Sequence, residues 1–326
     1  MDPLVSVVVE GYNEVRELGQ CDNTIRALMA QDFPLSQIEL ILVGSPAQVD
    51  HWGETYGGET PFHSVKLVPF DAALYYELKN RGIAAATGKI VALTDSDVLP
   101  SRSWISAIVE NICVDGADVS LGPTLFGRED VHDPESLWMR IVSSITWGWV
   151  LGKKLANGRP EARGFMDHNV AMKREVAARF CYNTDYGRII ASPLLFRALK
   201  DAGKIIAVHP RQQAVHAFWL RYWLISLQFR YGHEVYHLRR LDRKYPMGWM
   251  ASFGPFEPIV TQLWHMALDV PKWFRMNRAL QKSRVTTVLC LPALLAVSLV
   301  ARTLEMLGMY SAMICPERTK KWAESV

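Results

Sequence analysis

Apolar positions in the first part of the chain fall into two alternating rhythms. Residues 5–9 and 38–43 are largely aliphatic runs, broken only by Ser6 and Glu39, each followed by small or polar residues: Glu10-Gly11-Tyr12-Asn13-Glu14 after the first and Gly44-Ser45 after the second. Short runs of this kind predict strands of a parallel sheet covered on both faces. Between them Leu18, Ile25, Leu28 and Met29 recur at spacings that predict a helix over 14–31 packed on that sheet. A helical pattern over 74–86 stops at Thr87-Gly88, and an apolar strand follows over 90–93. A short helix over 104–111 and a strand over 119–125 complete an α/β half of about 125 residues, with no internal repeat.

The pattern then changes. Residues 137–151 are apolar and rich in tryptophan, with Trp138, Trp147 and Trp149 beside Arg140, and Lys153-Lys154 follow. A core helix and a membrane-interface segment both fit this stretch. A helix is expected over 194–202. Residues 285–301 form an uncharged run containing Pro292, with Lys282 and Arg284 before it and Arg302 after it. This is near the lower limit of about 17–25 residues for spanning a bilayer. A second apolar stretch over 304–314 carries Glu305, and Lys320-Lys321 follow. These features predict membrane attachment, either peripheral and in-plane or single-pass, and cations on both sides leave the orientation open.

Composition narrows the class. At 326 residues, 49% hydrophobic and 21% charged, the chain is a packed protein, and a net charge of +3 without long basic tracts argues against nucleic acid as a partner. The five cysteines are scattered without a Cys-x-x-Cys pair, which predicts reduced thiols. The start, Met-Asp-Pro leading straight into a strand, lacks a signal-peptide pattern, so the α/β part is expected at the cytoplasmic face of a membrane.

The chemistry concentrates at Asp95-Ser96-Asp97, directly after the 90–93 strand. Residues i and i+2 of an extended segment point the same way, so two carboxylates can face one hard cation, and that cation can neutralise a diphosphate. The carboxyl ends of parallel strands are where open α/β sheets bind ligands.

With these residues in view, the chain resembles glycosyltransferase family 2, the inverting nucleotide-sugar enzymes of GT-A fold. The resemblance rests on Val5-Ser6-Val7-Val8-Val9-Glu10-Gly11-Tyr12-Asn13-Glu14, on Asn80-Arg81-Gly82 with 84–88, on Asp95-Ser96-Asp97 and on 164–174, and it runs to about residue 235. It implies a Rossmann-like, mixed but mainly parallel sheet flanked by helices over 1–235, with a nucleotide-sugar half (1–125) and an acceptor half (126–235). A helical, membrane-associating region over 236–326 follows, with its hydrophobic segment at 285–301. It further implies a nucleotide-sugar donor, a UDP-sugar foremost, a hydroxyl acceptor on a lipid-linked or cell-envelope glycan, and Mg²⁺ or Mn²⁺ as cofactor. Tyr12, Asn13, Glu14, Lys79, Arg81 and Asp95 would serve the donor, Asp97 and His216 the metal, and Asn169 the acceptor side.

Two departures from the family pattern stand out. Leu42-Val43-Gly44-Ser45 lacks the acid that usually precedes Gly-Ser, and no Glu-Asp pair precedes the 194–202 helix, where the catalytic base is expected. Asp185 is the nearest substitute, and Asp167 is its rival. Gln228-Phe229-Arg230-Tyr231 resembles the element of processive members only loosely. A catalytically inactive GT-A-like scaffold at a membrane and a sugar nucleotidyltransferase are the alternatives, the second without its usual Gly-rich, Arg-containing loop.

Overall fold

A computed structural model describes residues 3–13, 20–71, 74–127, 136–148, 162–244 and 247–316. They form two compact units, Met1–Leu125 with Val150–His216 and Phe126–Trp149 with Ala217–Val326. The strands in chain order are β1 (Val5–Glu10), β2 (Ile38–Gly44), β3 (Ser64–Pro69), β4 (Ile90–Asp95), β5 (Val98–Pro100), β6 (Val119–Leu121), β7 (Thr124–Gly127), β8 (Val170–Lys173), β9 (Ile206–Val208) and β10 (Ala214–Ala217). The helices are α1 (Gln20–Met29), α2 (Pro46–Tyr56), α3 (Tyr75–Ala85), α4 (Trp104–Val109), α5 (Leu137–Trp147), α6 (Arg174–Arg179), α7 (Arg188–Asp201), α8 (Arg230–Leu241), α9 (Glu257–Ala279), α10 (Arg284–Leu289) and α11 (Leu291–Ile314).

Seven strands of the first unit make one sheet in the order β3-β2-β1-β4-β8-β6-β9. The strands β3, β2, β1 and β4 are parallel, whereas β8 runs antiparallel to both β4 and β6. Successive side chains of β1 point to opposite faces. Val5, Val7 and Val9 enter a core with Ile25, Leu28, Trp52 and Trp104. On the other face Val8 meets α3, so closely that a Cβ on Gly82 would lie 2.2 Å from Val8 Cγ1. At the opposite end of the strands buried Glu39 accepts hydrogen bonds from Ser6, from Thr87 N (2.9 Å) and Thr87 Oγ1 (2.7 Å), and pairs with Lys66 at 2.5 Å. Gly88 N in turn donates to Ser6 Oγ at 2.8 Å, which fixes the chain as it enters β4.

The mixed, mainly parallel sheet flanked by helices agrees with the expectation, and several boundaries differ. The strand expected over 119–125 is two strands, β6 and β7, separated at Gly122-Pro123, where a Cβ on Gly122 would lie 1.5 Å from Gln212 O. The helix expected over 194–202 begins at Arg188 and carries Pro193 inside it. The run over 285–301 is not one helix. Its first part is α10, capped by Ser283, and the chain breaks at Cys290 before α11, where Pro292 sits in the first turn and its missing N–H costs nothing. The helix α11 then continues through the 304–314 stretch. Within the 137–151 stretch, α5 buries Trp147 against Phe126 with ring centroids 4.0 Å apart; Trp149, Lys153 and Lys154 lie outside the described residues.

Among the described residues the regular structure of the second unit is helical apart from Phe126 and Gly127 at the end of β7 and Ala217 at the end of β10. Two glycines let its helix backbones touch: a Cβ on Gly232 of α8 would lie 2.0 Å from Glu305 O, and one on Gly308 of α11 would lie 2.0 Å from Phe229 O. Its interior holds a charged network. Asp269 of α9 accepts from Arg302 Nε (2.9 Å), Arg302 Nη2 (2.7 Å), Ser298 Oγ (2.6 Å) and Lys272 Nζ (2.9 Å), and His265 Nδ1 lies 3.1 Å from Glu305 Oε2.

Candidate active site

The sheet registers bring the acidic motif together with residues distant in sequence. Asp95 ends β4 and pairs with Glu10 at the end of β1. Because Leu93 pairs with Val170 in the antiparallel β4–β8 ladder, continuing the register sets Asp95 opposite His168. Directly after Asp97, β5 pairs antiparallel with β10, with Val98 opposite His216, and His216 Nε2 lies 3.7 Å from Asp97 Oδ2. The 95–98 turn is held from α1 by the buried Thr24 hydroxyl, which lies within hydrogen-bond distance of Ser96 O (2.7 Å) and Val98 O (2.8 Å).

Asp95 is fully buried. It pairs with Lys79 Nζ at 2.6 Å, accepts from the Tyr75 hydroxyl at 2.8 and 3.0 Å, and lies 3.6 Å from Arg188 Nη2. Burial acts to raise its pKa, but Lys79, His168 and Arg188 outweigh it and hold the carboxyl well below the usual range. Asp97 accepts from Asn13 Nδ2 at 3.1 Å on both oxygens. Burial raises its pKa, with Asp95 adding to the effect and His216 opposing it. His168 is pushed well below the ordinary imidazole range by burial and by His216, whose ring lies 5.1 Å away at 80°. Glu10 is buried, with Oε2 accepting from Tyr12 N at 2.7 Å and Oε1 without a hydrogen-bond partner; burial and Asp95 raise its pKa well above the carboxylate range.

The aromatic floor of the site comes from α3 and its neighbours. Tyr12 meets Tyr75 edge-on at 5.8 Å, and Tyr76 stacks on Tyr182 at 4.2 Å. The Arg188 guanidinium lies 3.7 Å from the Tyr75 ring centroid and donates to Asn13 Oδ1 at 3.4 Å. Asp167 is half-buried and accepts from the Tyr76 hydroxyl at 2.8 Å; burial raises its pKa against opposing contributions from Tyr76 and Lys79. Asn80 exchanges two hydrogen bonds with Tyr182, Nδ2 to O at 2.8 Å and N to Oδ1 at 3.1 Å, and so ties α3 to the segment before α7.

Of the residues singled out from the sequence, Tyr12, Asn13, Lys79, Asp95, Asp97, Asp167 and His216 belong to this connected group. Glu14 lies outside the described residues. Arg81 is exposed and lies over the Phe70 ring at 4.5 Å. Asp185 is exposed in the turn before α7, with its backbone N–H donating to Asn183 Oδ1 at 2.9 Å. Asn169, expected on the acceptor side, is engaged by protein partners. It is fully buried, its amide oxygen accepting from Trp104 Nε1 (2.7 Å) and Gln212 Nε2 (3.1 Å) and its amide nitrogen donating to Thr124 Oγ1 (3.1 Å) and Gln212 O (3.1 Å). Its amide is consumed in tying α4, β7 and the turn between β9 and β10 together.

Sequence reasoning missed Glu10, His168 and Arg188. His168 stood inside the quoted 164–174 segment, and its imidazole beside Asp167 was the available signal; Arg188 had none, because the start of α7 was misplaced. One ligand atom each from Asp95, His168 and His216 lies within 4.8 Å of the others, all three buried, so these side chains fit a metal ion. Two imidazoles and a carboxylate suit a divalent transition cation better than Mg²⁺.

A mainly parallel sheet with carboxylates and histidines gathered near the carboxyl ends of its central strands is the arrangement of an α/β ligand-binding site. The chain belongs to Glycosyl transferase family 2, whose sequence profile matches residues 6–180. It is 28% identical over 125 residues to glycosyltransferase AglE of Haloferax volcanii, a match that covers 38% of this chain and 40% of that protein, less than two thirds of its length. It is 23% identical over 270 residues to the glucosyl-dolichyl phosphate glucuronosyltransferase of the same organism, covering 74% of this chain and 78% of the relative. Its fold is similar to that of the mannosyltransferase PcManGT from Pyrobaculum calidifontis, solved in complex with GDP-Man and Mn²⁺. That similarity has a TM-score of 0.57 and 18% identity, and covers 96% of this chain and 88% of the other.

Proposed function

We propose that this glycosyltransferase moves a sugar from a nucleoside-diphosphate donor to the hydroxyl of a lipid-linked glycan, with inversion and with a divalent cation. The observation that supports it is the convergence of Asp95 and Asp97, His168 and His216 from three separate segments onto one buried group. Asp95, His168 and His216, with Asp97 against His216, would hold the cation. When bound, a divalent cation there offsets the charge that develops on the departing diphosphate. Arg188, stacked on Tyr75 beside Asp95, adds positive charge to the same place. Tyr12 and Asn13 would orient the nucleoside.

The base would take the acceptor proton from the face opposite the nucleotide. We assign it to Asp167 over Asp185, because Asp167 is tied into the group through Tyr76 and burial strengthens its hold on a proton. The lipid-linked acceptor is supported by the dolichyl-phosphate chemistry in the name of one relative.

The test is thermal stabilisation and slow hydrolysis across UDP- and GDP-sugars, with and without Mn²⁺, for the wild type and for Asp97→Ala. Stabilisation by one donor that requires Mn²⁺ and is lost in the variant is the expected result. No response to any donor would favour the scaffold alternative.

A further inference from the structure

The helical unit carries a surface that sugar transfer does not explain. Most of the large hydrophobic side chains exposed among the described residues fall between Trp249 and Ile314, including Phe256 (66% exposed), Leu263 (64%), Trp264, Leu289 (73%) and Leu299. On α11 they form a side. Leu295, Leu299, Leu307 and Ile314 face out at helical spacing, while Leu294, Ser298, Ala301, Arg302 and Glu305 face in.

Charge gives this surface its partner. All three carboxylates within 247–316, Glu257, Asp269 and Glu305, are buried, whereas Arg278 and Arg284 are exposed around the α9–α10 turn. An apolar, tryptophan-bearing surface whose exposed charges are cationic complements an anionic lipid headgroup layer.

By length and composition α11 is the one helix among the described residues that could cross a membrane. Its inward side is nevertheless committed to protein. Arg302 pairs with Asp269 and Glu305 lies against His265, both partners on α9, while Gly308 and Glu305 O are in backbone contact with the segment at Phe229 and with α8. A helix crossing the bilayer would have to take these charged partners with it.

We propose that the outward side of the helical unit lies in the plane of an anionic bilayer, with α10 and the outer sides of α9 and α11 among the headgroups, and that α11 does not cross. This holds independently of the transfer reaction, and its test uses no activity.

The full chain is floated with phosphatidylcholine vesicles with and without phosphatidylglycerol. The protein is expected to float with the phosphatidylglycerol vesicles and to leave them as salt rises. Leu263→Glu combined with Leu299→Glu lowers binding roughly tenfold or more, since it puts charge where apolar contact is needed. Arg278→Glu with Arg284→Glu abolishes the preference for phosphatidylglycerol. Both residue pairs are exposed, so the circular-dichroism melting curves stay close to wild type, and alkaline carbonate strips the protein from membranes. Retention after carbonate would overturn the proposal in favour of a crossing helix. Failure to bind either vesicle, or a dimer in vesicle-free buffer that Leu299→Glu dissolves, would overturn it in favour of a protein-covered face.

Discussion

Lys79 shows how one side chain can serve the site by holding another. Its ammonium is fully buried, 2.6 Å from Asp95 and 4.7 Å from the Tyr75 ring centroid. Removing one member of a buried pair strands the other's charge, so Lys79→Met should cost about 3–5 kcal/mol in denaturant unfolding. Adding Asp95→Asn should return part of that loss; a single variant as stable as wild type would show that Asp95 does not depend on Lys79. The two candidate bases separate in the same way. Asp167→Asn should lower kcat by roughly 10²–10⁴-fold with donor stabilisation intact, while Asp185→Asn should stay near wild type. The reverse pattern in single-turnover kinetics would move the base to the turn before α7.

At the level of elements, packing distances explain why the 80–88 segment carries glycines. Gly82 allows α3 to rest on Val8, and Gly88 allows the chain to pass Ser6, where a Cβ would lie 2.7 Å from Ser6 N. Gly82→Ala should therefore cost about 1–3 kcal/mol despite a gain in helix propensity, read as a lower denaturation midpoint. Midpoints equal to or above wild type would show that α3 can move away from the sheet. These elements were legible because an apolar run followed by a helical period is a local signal. The short β8 and β10 were not, since four residues each carry no period to read. With them went the ladders that set His168 opposite Asp95 and His216 beside Asp97.

For the molecule as a whole, Glu39 sets a limit in acid. Burial alone would raise its pKa, but hydrogen bonds from Lys66, Ser6 and Thr87 lower it to about 2. A carboxyl depressed in the folded state contributes stability that is complete above its unfolded value, about 4.3, and is lost as pH falls through the folded one. Unfolding free energy should thus decline between about pH 4.5 and 2 in the wild type. Glu39→Gln should start about 1.5–3 kcal/mol lower at neutral pH and decline less over that range; parallel curves would remove Glu39 from this role. The parallel core around Glu39 could be read from the sequence. The passage of the chain into a second unit at 126 and back by 150 could not, because hydrophobic patterning records burial and not the unit in which a segment is buried.

That interleaving bears on how the protein is made. Asp95, His168 and His216 come from early, middle and late positions along the first unit's chain. The parallel strands around Glu39 can pair while synthesis is still under way, but the group at their carboxyl ends cannot assemble until residue 216 has left the ribosome. The four parallel strands of a nascent chain are therefore complete well before the three members of that group can come together.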